Sequence, residues 1–385
     1  MNRAPAGEEA GLPMVGTKIS PIEEIIDEAR NGRPFVLVDA PDRENEGDIV
    51  IPAQFATPDV INFMAKHARG LICLSIPRSR AEQLGLGPMV ARNESGHGTA
   101  FTVSIEAREG VTTGISAHDR ARTIAVALDP GRSSDDIVTP GHVFPLVARD
   151  GGVLVRAGHT EAAVDIARLA GLMSAGVICE IMNADGSMSR LPELQKFAEL
   201  HNLKIGTIAD LIAYRLKSES LIERIAETAF PSHFGEGFRA IVYRDKIDGA
   251  EHVALVKGHV DPSAPTLVRV HLLDLAADLL GWKETKRDYA RSAIEMLAAH
   301  EGAAVGVFIR DPSPTGFSER IGGGPEAYIS YAANFAFRDY GIGAQILRDI
   351  GVGNMILLTS SQGKPLALEG FGLSVVERRP IPDRG

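Results

Sequence analysis

A short polar segment, 42-DRENEGD-48, separates two apolar runs and carries Arg43, Glu44, Glu46 and Asp48. Carboxylates grouped this closely are able to bind a divalent cation through hard oxygen ligands and to hold a general base beside it. The alternative is a charged turn exposed to solvent, and for an isolated acidic loop that alternative is the more common one.

A second group of polar residues lies in 156-RAGHTEA-162, where a predicted strand gives way to a predicted helix. Free N–H groups at a helix N-terminus bind anions, so Arg156, Gly158 and Thr160 suit a phosphate group. His159 in the same turn is able to ligate a metal or to transfer a proton. The alternative is that Thr160 only caps the helix and Arg156 is a surface charge.

Two further residues are candidates for proton transfer. Glu180 lies in the otherwise apolar run 176-GVICEIM-182, and a buried carboxylate is costly unless it is paired or functional. Its alternative is a glutamate at the end of a strand that points to solvent. His142 lies in 140-PGHVFPL-146, where a single histidine beside a glycine is more often structural than catalytic.

The elements that must position these residues alternate between strand and helix. Capping signals at Ser20 and Thr57 predict helices, as do the signals at Ser116 and near Thr160. Apolar runs predict strands at 34-PFVLVDA-40, 49-IVIPA-53, 71-LICLSI-76 and 176-GVICEIM-182, and 153-VLVRAGHTEAAVDIARLAG-171 predicts a strand, a tight turn and then a helix.

The same pattern divides the chain into two α/β domains. Residues 1–17 lack periodicity and predict a disordered tail, and the first domain extends over 18–216. A polar linker helix is predicted over 217–229, and a second domain over 230–385. That domain is expected to contain strands at 239–247, 251–260 and 354–359 and a helix over 338–351.

Composition excludes several classes of protein. The 385 residues carry 40 basic and 50 acidic side chains, and this balance does not favour nucleic-acid binding. No apolar run approaches the ~20 residues that span a bilayer, so no membrane partner is expected. Only Cys73 and Cys179 are present, which favours a reducing, cytoplasmic location and excludes a site with three or four cysteine ligands.

Long motifs over residues 18–216 together resemble the 3,4-dihydroxy-2-butanone 4-phosphate synthase family. The motifs are 42-DRENEGD-48, 98-GTAFTVSIEAREGVTTGISAHDR-120, 140-PGHVFPL-146, 156-RAGHTEAAVDIARLAG-171 and 176-GVICEIMNADGSMSR-190. The resemblance implies an α/β (α+β) architecture whose first domain has three α/β/α layers and a mixed sheet. It also implies riboflavin biosynthesis, with conversion of ribulose 5-phosphate to a four-carbon phosphate and formate.

The resemblance also implies roles for individual residues. Glu44 and His159 would ligate two magnesium or manganese ions, which suit oxygen and imidazole ligands. His142 and Glu180 would be essential to catalysis, and Glu46 belongs to the same acidic loop. The residues that would contact the substrate are Arg43, Glu44, Asp48, Arg156, Ala157, Gly158, His159, Thr160 and Glu180. A homodimer with active sites shared between subunits is expected.

Residues 230–385 resemble GTP cyclohydrolase II, most clearly in 251-EHVALVKGHV-260, 338-RDYGIGAQILRDIGVGNMILLT-359 and 369-EGFGLSVVER-378. Active members of that family carry three zinc-binding cysteines after the segment that here reads 268-VRVH-271. This half of the chain contains no cysteine. Loss of the thiolates removes the zinc, so a degenerate domain without zinc and without GTP cyclohydrolase II activity is expected.

Two alternatives remain at this point. The chain would be bifunctional if Asp274, His271 and His259 formed a different metal site in the second domain. Alternatively, the second domain would serve as a scaffold for other enzymes of the pathway. A structural remnant is favoured over the alternative metal site.

Overall fold

The computed structural model describes residues 19–41, 43–94, 99–282, 289–311, 315–322, 341–360 and 371–382. The chain divides into two compact units, Met1–Leu211 and Ile212–Gly385. The predicted tail over 1–17 lies outside the described residues. Among the described helices, none has the length and apolar character needed to cross a bilayer.

The first unit is built on a seven-stranded mixed sheet. Its strands are β1 (Phe35–Val38), β2 (Gly47–Pro52), β3 (Cys73–Pro77), β4 (Ile105–Ala107), β5 (Ile137–Ala148), β6 (Gly176–Glu180) and β7 (Ile205–Thr207). Their order is β4-β5-β3-β6-β2-β1-β7. Strands β3/β5 and β1/β7 pair in parallel, and the other neighbours pair antiparallel.

Helices lie along this sheet. They are α1 (Ile22–Arg30), α2 (Pro58–Phe63) with a π-helical turn (Met64–Ala68), α3 (Arg78–Gln83), α4 (Ala117–Leu128), α5 (His159–Leu169), α6 (Leu191–His201) and α7 (Ile208–Ser218), which spans the unit boundary. Short 3₁₀ turns are formed by Ala53–Phe55, Ser134–Asp136 and Gly152–Leu154.

Helices cover both faces of the first sheet. On one face, Ala163 of α5 packs directly over Gly176 of β6. On the other face, Ile61 of α2, Ile124 of α4 and Leu194 of α6 join one buried apolar cluster with inward residues of the strands. Each fully buried side chain of this size stabilises the fold by roughly 1.5–3 kcal/mol. The three-layer α/β/α arrangement with a mixed sheet is thus confirmed.

The second unit contains another seven-stranded mixed sheet, in the order β14-β13-β11-β12-β10-β9-β8. Its strands are β8 (Ile222–Ala229), β9 (Phe238–Asp245), β10 (Glu251–Lys257), β11 (Thr266–Leu272), β12 (Ala304–Ile309), β13 (Asn354–Leu358) and β14 (Ser374–Arg379). Its helices are α8 (Leu275–Asp278), α9 (Tyr289–Ala299), α10 (Gly316–Gly322) and α11 (341–350). The first residues of the helix predicted over 338–351 lie outside the described residues.

The strands predicted at 34–40, 49–53, 71–76 and 176–182 are β1, β2, β3 and β6, with ends that differ by up to two residues. The strand predicted at the start of the segment 153–171 is wrong, because Gly152–Leu154 forms a 3₁₀ turn. The buried carboxylate of Asp165 accepts a hydrogen bond from the Val153 N–H at 2.8 Å and stabilises that turn. The predicted Ser20 cap is also absent: Pro21 is the N-cap of α1, without a side-chain hydrogen bond.

The linker helix predicted over 217–229 is wrong as well. Helix α7 ends at Ser218, and Ile222–Ala229 forms strand β8, which pairs antiparallel with β9 at the edge of the second sheet. After Ile222 every residue of β8 is exposed. An exposed edge strand tolerates the same charged residues as a solvated helix, so pairing with β9 decides the structure.

Candidate active site

The acidic loop after β1 is organised by a buried carboxylate that the sequence analysis did not single out. Asp39 accepts hydrogen bonds from the N–H groups of Glu44 at 3.0 Å and Glu46 at 2.8 Å. Arg43 donates one hydrogen bond to Asp39 and one to Glu44, both at 2.8 Å. In the sequence, Asp39 lies near the end of the predicted strand 34–40. A carboxylate directly after a run of buried residues is the sequence signal for its role.

His159 lies at the first position of α5 and is buried. Its Nε2 is 3.0 Å from the carbonyl oxygen of Leu37, so Nε2 carries the proton and donates a hydrogen bond to that oxygen. The other nitrogen, Nδ1, therefore presents its lone pair 3.9 Å from Glu44 Oε2 and 4.0 Å from Asp48 Oδ1. Burial lowers the pKa of His159, against the nearby charges of Asp39 and Glu44.

Asp39, Glu44 and His159 each offer one ligand atom, and these three atoms lie within 4.8 Å of one another. In the described part of the chain no other group of three or more such side chains meets this distance. Two hard oxygens and one neutral imidazole nitrogen fit a divalent cation such as Mg²⁺ or Mn²⁺. The structure therefore brings the two predicted ligands, Glu44 and His159, to one place and adds Asp39.

Two neighbouring strands add carboxylates to this group. Asp48 of β2 and Glu180 of β6 are directly opposite in the antiparallel register. Glu180 is half-buried, and its Oε2 accepts a hydrogen bond from the Leu71 N–H at 2.8 Å. Gly70 makes this approach feasible, because a Cβ there would lie 2.5 Å from the same oxygen. Glu180 thus lies at the end of a strand, but its negative charge acts on the acidic cluster.

The cluster carries more negative charge than its own cations balance. Burial raises the pKa of Asp48 well above its ordinary range, and the charges of Glu180 and Glu44 add to that effect. Burial and Glu44 also raise the pKa of Glu46, while Arg190 opposes the increase. A bound cation would offset this repulsion, which is the electrostatic condition expected of an ion site.

We expect Asp48→Asn to raise the melting temperature of the metal-free protein by roughly 2 to 4 °C. The raised pKa means that the folded state binds the Asp48 proton more tightly than the unfolded chain. Ionised Asp48 therefore destabilises the fold above the ordinary pKa range of aspartate, and the effect vanishes as the pH falls below that range. Thermal unfolding with a chelator, at pH 8 and near pH 4, measures the difference. The exposed variant Glu199→Gln is the control, and an Asp48→Asn protein that is less stable at pH 8 would contradict this prediction.

Arg190 is a second residue that the sequence analysis missed. It is the N-cap of α6, and its Nη1 donates to the carbonyl oxygen of Glu44 at 2.8 Å and to that of Asn45. The same guanidinium lies 3.9 Å from Glu46 Oε1. Asp39 therefore holds the N–H groups of the loop while Arg190 holds its carbonyl groups, and Asn45 adopts a left-handed conformation between them. The position of Arg190 at the start of a helix gave no indication in the sequence that its side chain contacts the acidic loop.

The segment 156–160 leads into α5, with Gly158 as the N-cap and no side-chain cap on the helix. Arg156 is not a solvated surface charge, because its Nη1 donates to the buried Glu161 at 2.7 Å and its Nη2 to Thr99 Oγ1 at 3.2 Å. Thr160 is buried in the first turn. Ala157 and Gly158, which are among the predicted substrate contacts, place their backbone groups at the start of α5, beside His159.

His142 lies apart from the cluster in one chain. Phe144 of β5 is level with Cys73 of β3, which is level with Ile178 of β6, so His142 emerges at the same end of the sheet as Glu180. Two strand spacings separate them, or about 10 Å. Instead of the cluster, His142 Nδ1 contacts Glu106 Oε2 at 2.8 Å.

The three residues considered for a different metal site in the second unit do not come together. Lys257 is level with Ala304 and Leu267, so the exposed His259 lies near the start of β11, about 20 Å along the strand from His271. His271 Nε2 instead contacts Asp278 at 2.8 Å.

Asp274 is also occupied. It caps α8 and forms a 3.0 Å ion pair with Arg320, whose guanidinium stacks over the Trp282 ring. This region of the second unit is therefore a network of ion pairs and hydrogen bonds.

Comparison with known proteins shows which families each part of the chain matches. Residues 23–214 match the 3,4-dihydroxy-2-butanone 4-phosphate synthase family, and residues 223–380 match GTP cyclohydrolase II. The chain is 51% identical to riboflavin biosynthesis protein RibBA of Aquifex aeolicus, covering 94% of this chain and 93% of that protein. It is 49% identical to 3,4-dihydroxy-2-butanone 4-phosphate synthase of Pseudomonas aeruginosa, covering 94% and 99%.

Solved structures give the same result. The crystal structure of RibBX, a two-domain 3,4-dihydroxy-2-butanone 4-phosphate synthase from A. baumannii, superposes with a TM-score of 0.76 at 41% identity, covering 94% of this chain and 99% of that one. A synthase in complex with two magnesium ions covers 52% of this chain and 98% of its own, with a TM-score of 0.50 and 40% identity. The chain belongs to the 3,4-dihydroxy-2-butanone 4-phosphate synthase family of riboflavin biosynthesis, in the form that joins the synthase domain to a GTP cyclohydrolase II domain.

Proposed function

We propose that the acidic cluster of the first unit converts D-ribulose 5-phosphate to L-3,4-dihydroxy-2-butanone 4-phosphate and formate. The observation that carries this proposal is the convergence of Asp39, Glu44 and His159 within 4.8 Å, with Asp48 and Glu180 on the adjoining strands. Direct contact with such a cluster stabilises a neutral sugar carbonyl and its hydroxyl groups only slightly. Cations held by the cluster would stabilise them much more.

We infer that Mg²⁺ or Mn²⁺ occupies this site, with two ions as in the related synthase structure. Glu44 and His159 are the proposed ligands, and Asp39 is placed to join them. When bound, the ions polarise the carbonyl and lower the energy of the enediolate. The Leu37 carbonyl fixes the His159 ring with Nδ1 toward the site, the kind of contact that orients metal-binding histidines.

The proposed chemistry needs groups in different protonation states. Enolisation, dehydration and skeletal rearrangement precede the release of formate, and the water lost on dehydration is taken up again when formate leaves. Glu46 lies on the acidic loop that is proposed to contact the substrate, and it is assigned the first proton abstraction from carbon. His142 and Glu180 are assigned the later transfers.

The phosphate is assigned to residues 156–160 at the start of α5. Gly158 presents backbone there, and the helix lacks a side-chain cap, so its first N–H groups are suited to an anion. Glu161 holds the Arg156 guanidinium in one orientation, which reduces the entropy lost when that guanidinium binds phosphate. Arg43 and Asp48 complete the proposed set of substrate contacts.

The second domain is proposed to be degenerate, without zinc and without GTP cyclohydrolase II activity. Residues 212–385 contain no cysteine, and polar residues at and after the end of β11 contact other side chains: His271 contacts Asp278, and Asp274 forms an ion pair with Arg320. The proposed boundaries follow the sheet pairing, so the second domain includes β8. We also propose a homodimer and a cytoplasmic location. Light scattering should give twice the 41.1 kDa mass of one chain.

One assay tests the synthase and the degenerate domain separately. Purified protein is incubated with ribulose 5-phosphate or with GTP, in the presence of Mg²⁺, Zn²⁺ or a chelator, and formate and the organic products are quantified. We expect formate and the four-carbon phosphate from the sugar only, and their loss with chelator. A triaminopyrimidine product from GTP would support the bifunctional alternative. If neither ribulose 5-phosphate nor GTP gives a product, the scaffold alternative would be the one supported.

A further inference from the structure

Glu106 and His142 form a pair outside the acidic cluster, between strands β4 and β5. Glu106 Oε2 lies 2.8 Å from His142 Nδ1. The side chain of the glutamate is 11% exposed, whereas that of the histidine is 44% exposed, so the carboxylate lies behind the imidazole ring. A buried carboxylate on a half-exposed imidazole is the arrangement that fixes histidines in proton-transfer sites.

Several hydrogen bonds fix the strands that carry this pair. The Gly141 N–H donates to Ser104 Oγ at 3.1 Å, directly before His142 and two residues before Glu106. The Ala107 N–H donates to Thr123 Oγ1 of α4 at 3.0 Å. The first bond joins β5, next to His142, to the residue before β4, and the second joins β4, next to Glu106, to α4. Together they restrict the separation between Glu106 and His142.

A turn over residues 112–114 packs against the carboxylate. Asp119 accepts hydrogen bonds from the Thr112 hydroxyl at 2.8 Å and the Gly114 N–H at 3.0 Å. These hydrogen bonds, that from Thr112 foremost, lower the pKa of Asp119. Gly114 has φ +87° and lies so close to Glu106 that a Cβ would be 2.1 Å from Oε2. The turn thus confines Glu106 to the side of His142.

We propose that Glu106 is the positioning residue of His142, an inference that rests on the proposed role of His142 in the synthase reaction. Because the carboxylate accepts a hydrogen bond from Nδ1–H, Nε2 is left as the free base. Nε2 then exchanges the proton, and the negative charge of Glu106 stabilises the imidazolium that forms. Its second oxygen, Oε1, is buried without a hydrogen-bond partner in the described structure, so His142 is the side chain to which Glu106 commits its polar contact.

Glu106→Gln tests this inference, because glutamine keeps the shape but removes the charge and favours the wrong imidazole tautomer. We expect kcat with ribulose 5-phosphate to fall roughly 100-fold or more at nearly constant KM. His142→Asn and the double variant should be equally impaired, since Glu106 acts through His142. Glu109→Gln, an exposed glutamate nearby, is the control. An unchanged Mn²⁺ affinity will show that Glu106→Gln remains folded.

A spectroscopic readout separates positioning from a structural role. With ¹⁵N-histidine labelling, the His142 signal, identified by its loss in His142→Asn, should show protonated Nδ1 in the wild type and a changed tautomer in Glu106→Gln. Full activity of Glu106→Gln beside an inactive His142→Asn would overturn the inference alone, as would additive losses in the double variant or an unchanged tautomer. Near-normal turnover by His142→Asn would overturn both the inference about Glu106 and the role proposed for His142 in the reaction.

Discussion

Replacing His159 with asparagine should lower turnover of ribulose 5-phosphate about a thousandfold or more. His159 Nδ1 is the nitrogen ligand of the proposed ion site, and its direction is fixed by the Leu37 carbonyl. The proposed ions would contribute several kcal/mol to stabilisation of the transition state, and each 1.36 kcal/mol is a tenfold change in rate. Steady-state assays over a range of Mg²⁺ concentrations measure the loss, and Mn²⁺ titration measures the affinity directly.

The control for this variant is His233→Asn, which alters an exposed histidine of the second unit. We expect His233→Asn to bind Mn²⁺ and to turn over substrate like the wild type. A His159→Asn protein with unchanged Mn²⁺ affinity would show that the ions bind elsewhere. Partial recovery at high Mg²⁺ concentration would agree with weakened binding by Asp39 and Glu44 alone.

Glu180→Gln should reduce kcat about 100- to 10,000-fold, the range expected when a positioned acid or base is removed. The substitution keeps the volume of the side chain and an oxygen that is able to accept the Leu71 N–H, so the fold is expected to persist. It also removes one negative charge beside Asp48, which should lower the Asp48 pKa. Mn²⁺ affinity should therefore change far less than turnover.

The comparison with the exposed variant Glu199→Gln isolates the effect of position. If Glu180→Gln keeps near-normal turnover, Glu180 has no part in proton transfer and serves only to hold the backbone at Leu71. If Mn²⁺ affinity and kcat fall together, Glu180 acts through the ions, and the division of roles between metal ligands and proton-transfer groups is wrong.

The first sheet was predictable from the sequence because its central strands are short apolar runs bounded by polar turns. Strand β8 was not, since its exposed residues satisfy both a solvated helix and an edge strand, and only the partner strand β9 distinguishes them. The same limit applied to Gly152–Leu154, where the apolar residues are buried by a turn tied to Asp165.

The candidate site followed a similar rule. Glu44 and Asp48 stood out because carboxylates are grouped in one short segment. His159 and Glu180 stood out because each is a polar residue in a Gly-containing turn or an apolar strand, and the fold places all four near one another. Asp39 and Arg190 were missed because both act through hydrogen bonds to backbone groups of the loop, and the position of Asp39 directly after an apolar run was its one sequence signal. The distance between His142 and Glu180 follows from strand order, which periodicity does not determine.

The edge strand β8 also determines where the chain can be divided into independent proteins. Gln345 accepts a hydrogen bond from the Leu221 N–H and donates to the carbonyl oxygens of Leu216 and Glu219, so the residues before β8 are already bonded to α11. A shortened protein that began at Phe230 would expose the unpaired N–H and C=O groups of β9, which favours aggregation. Separate expression of the cyclohydrolase-like half should therefore begin before Leu216, so that both this anchor and its first strand are retained.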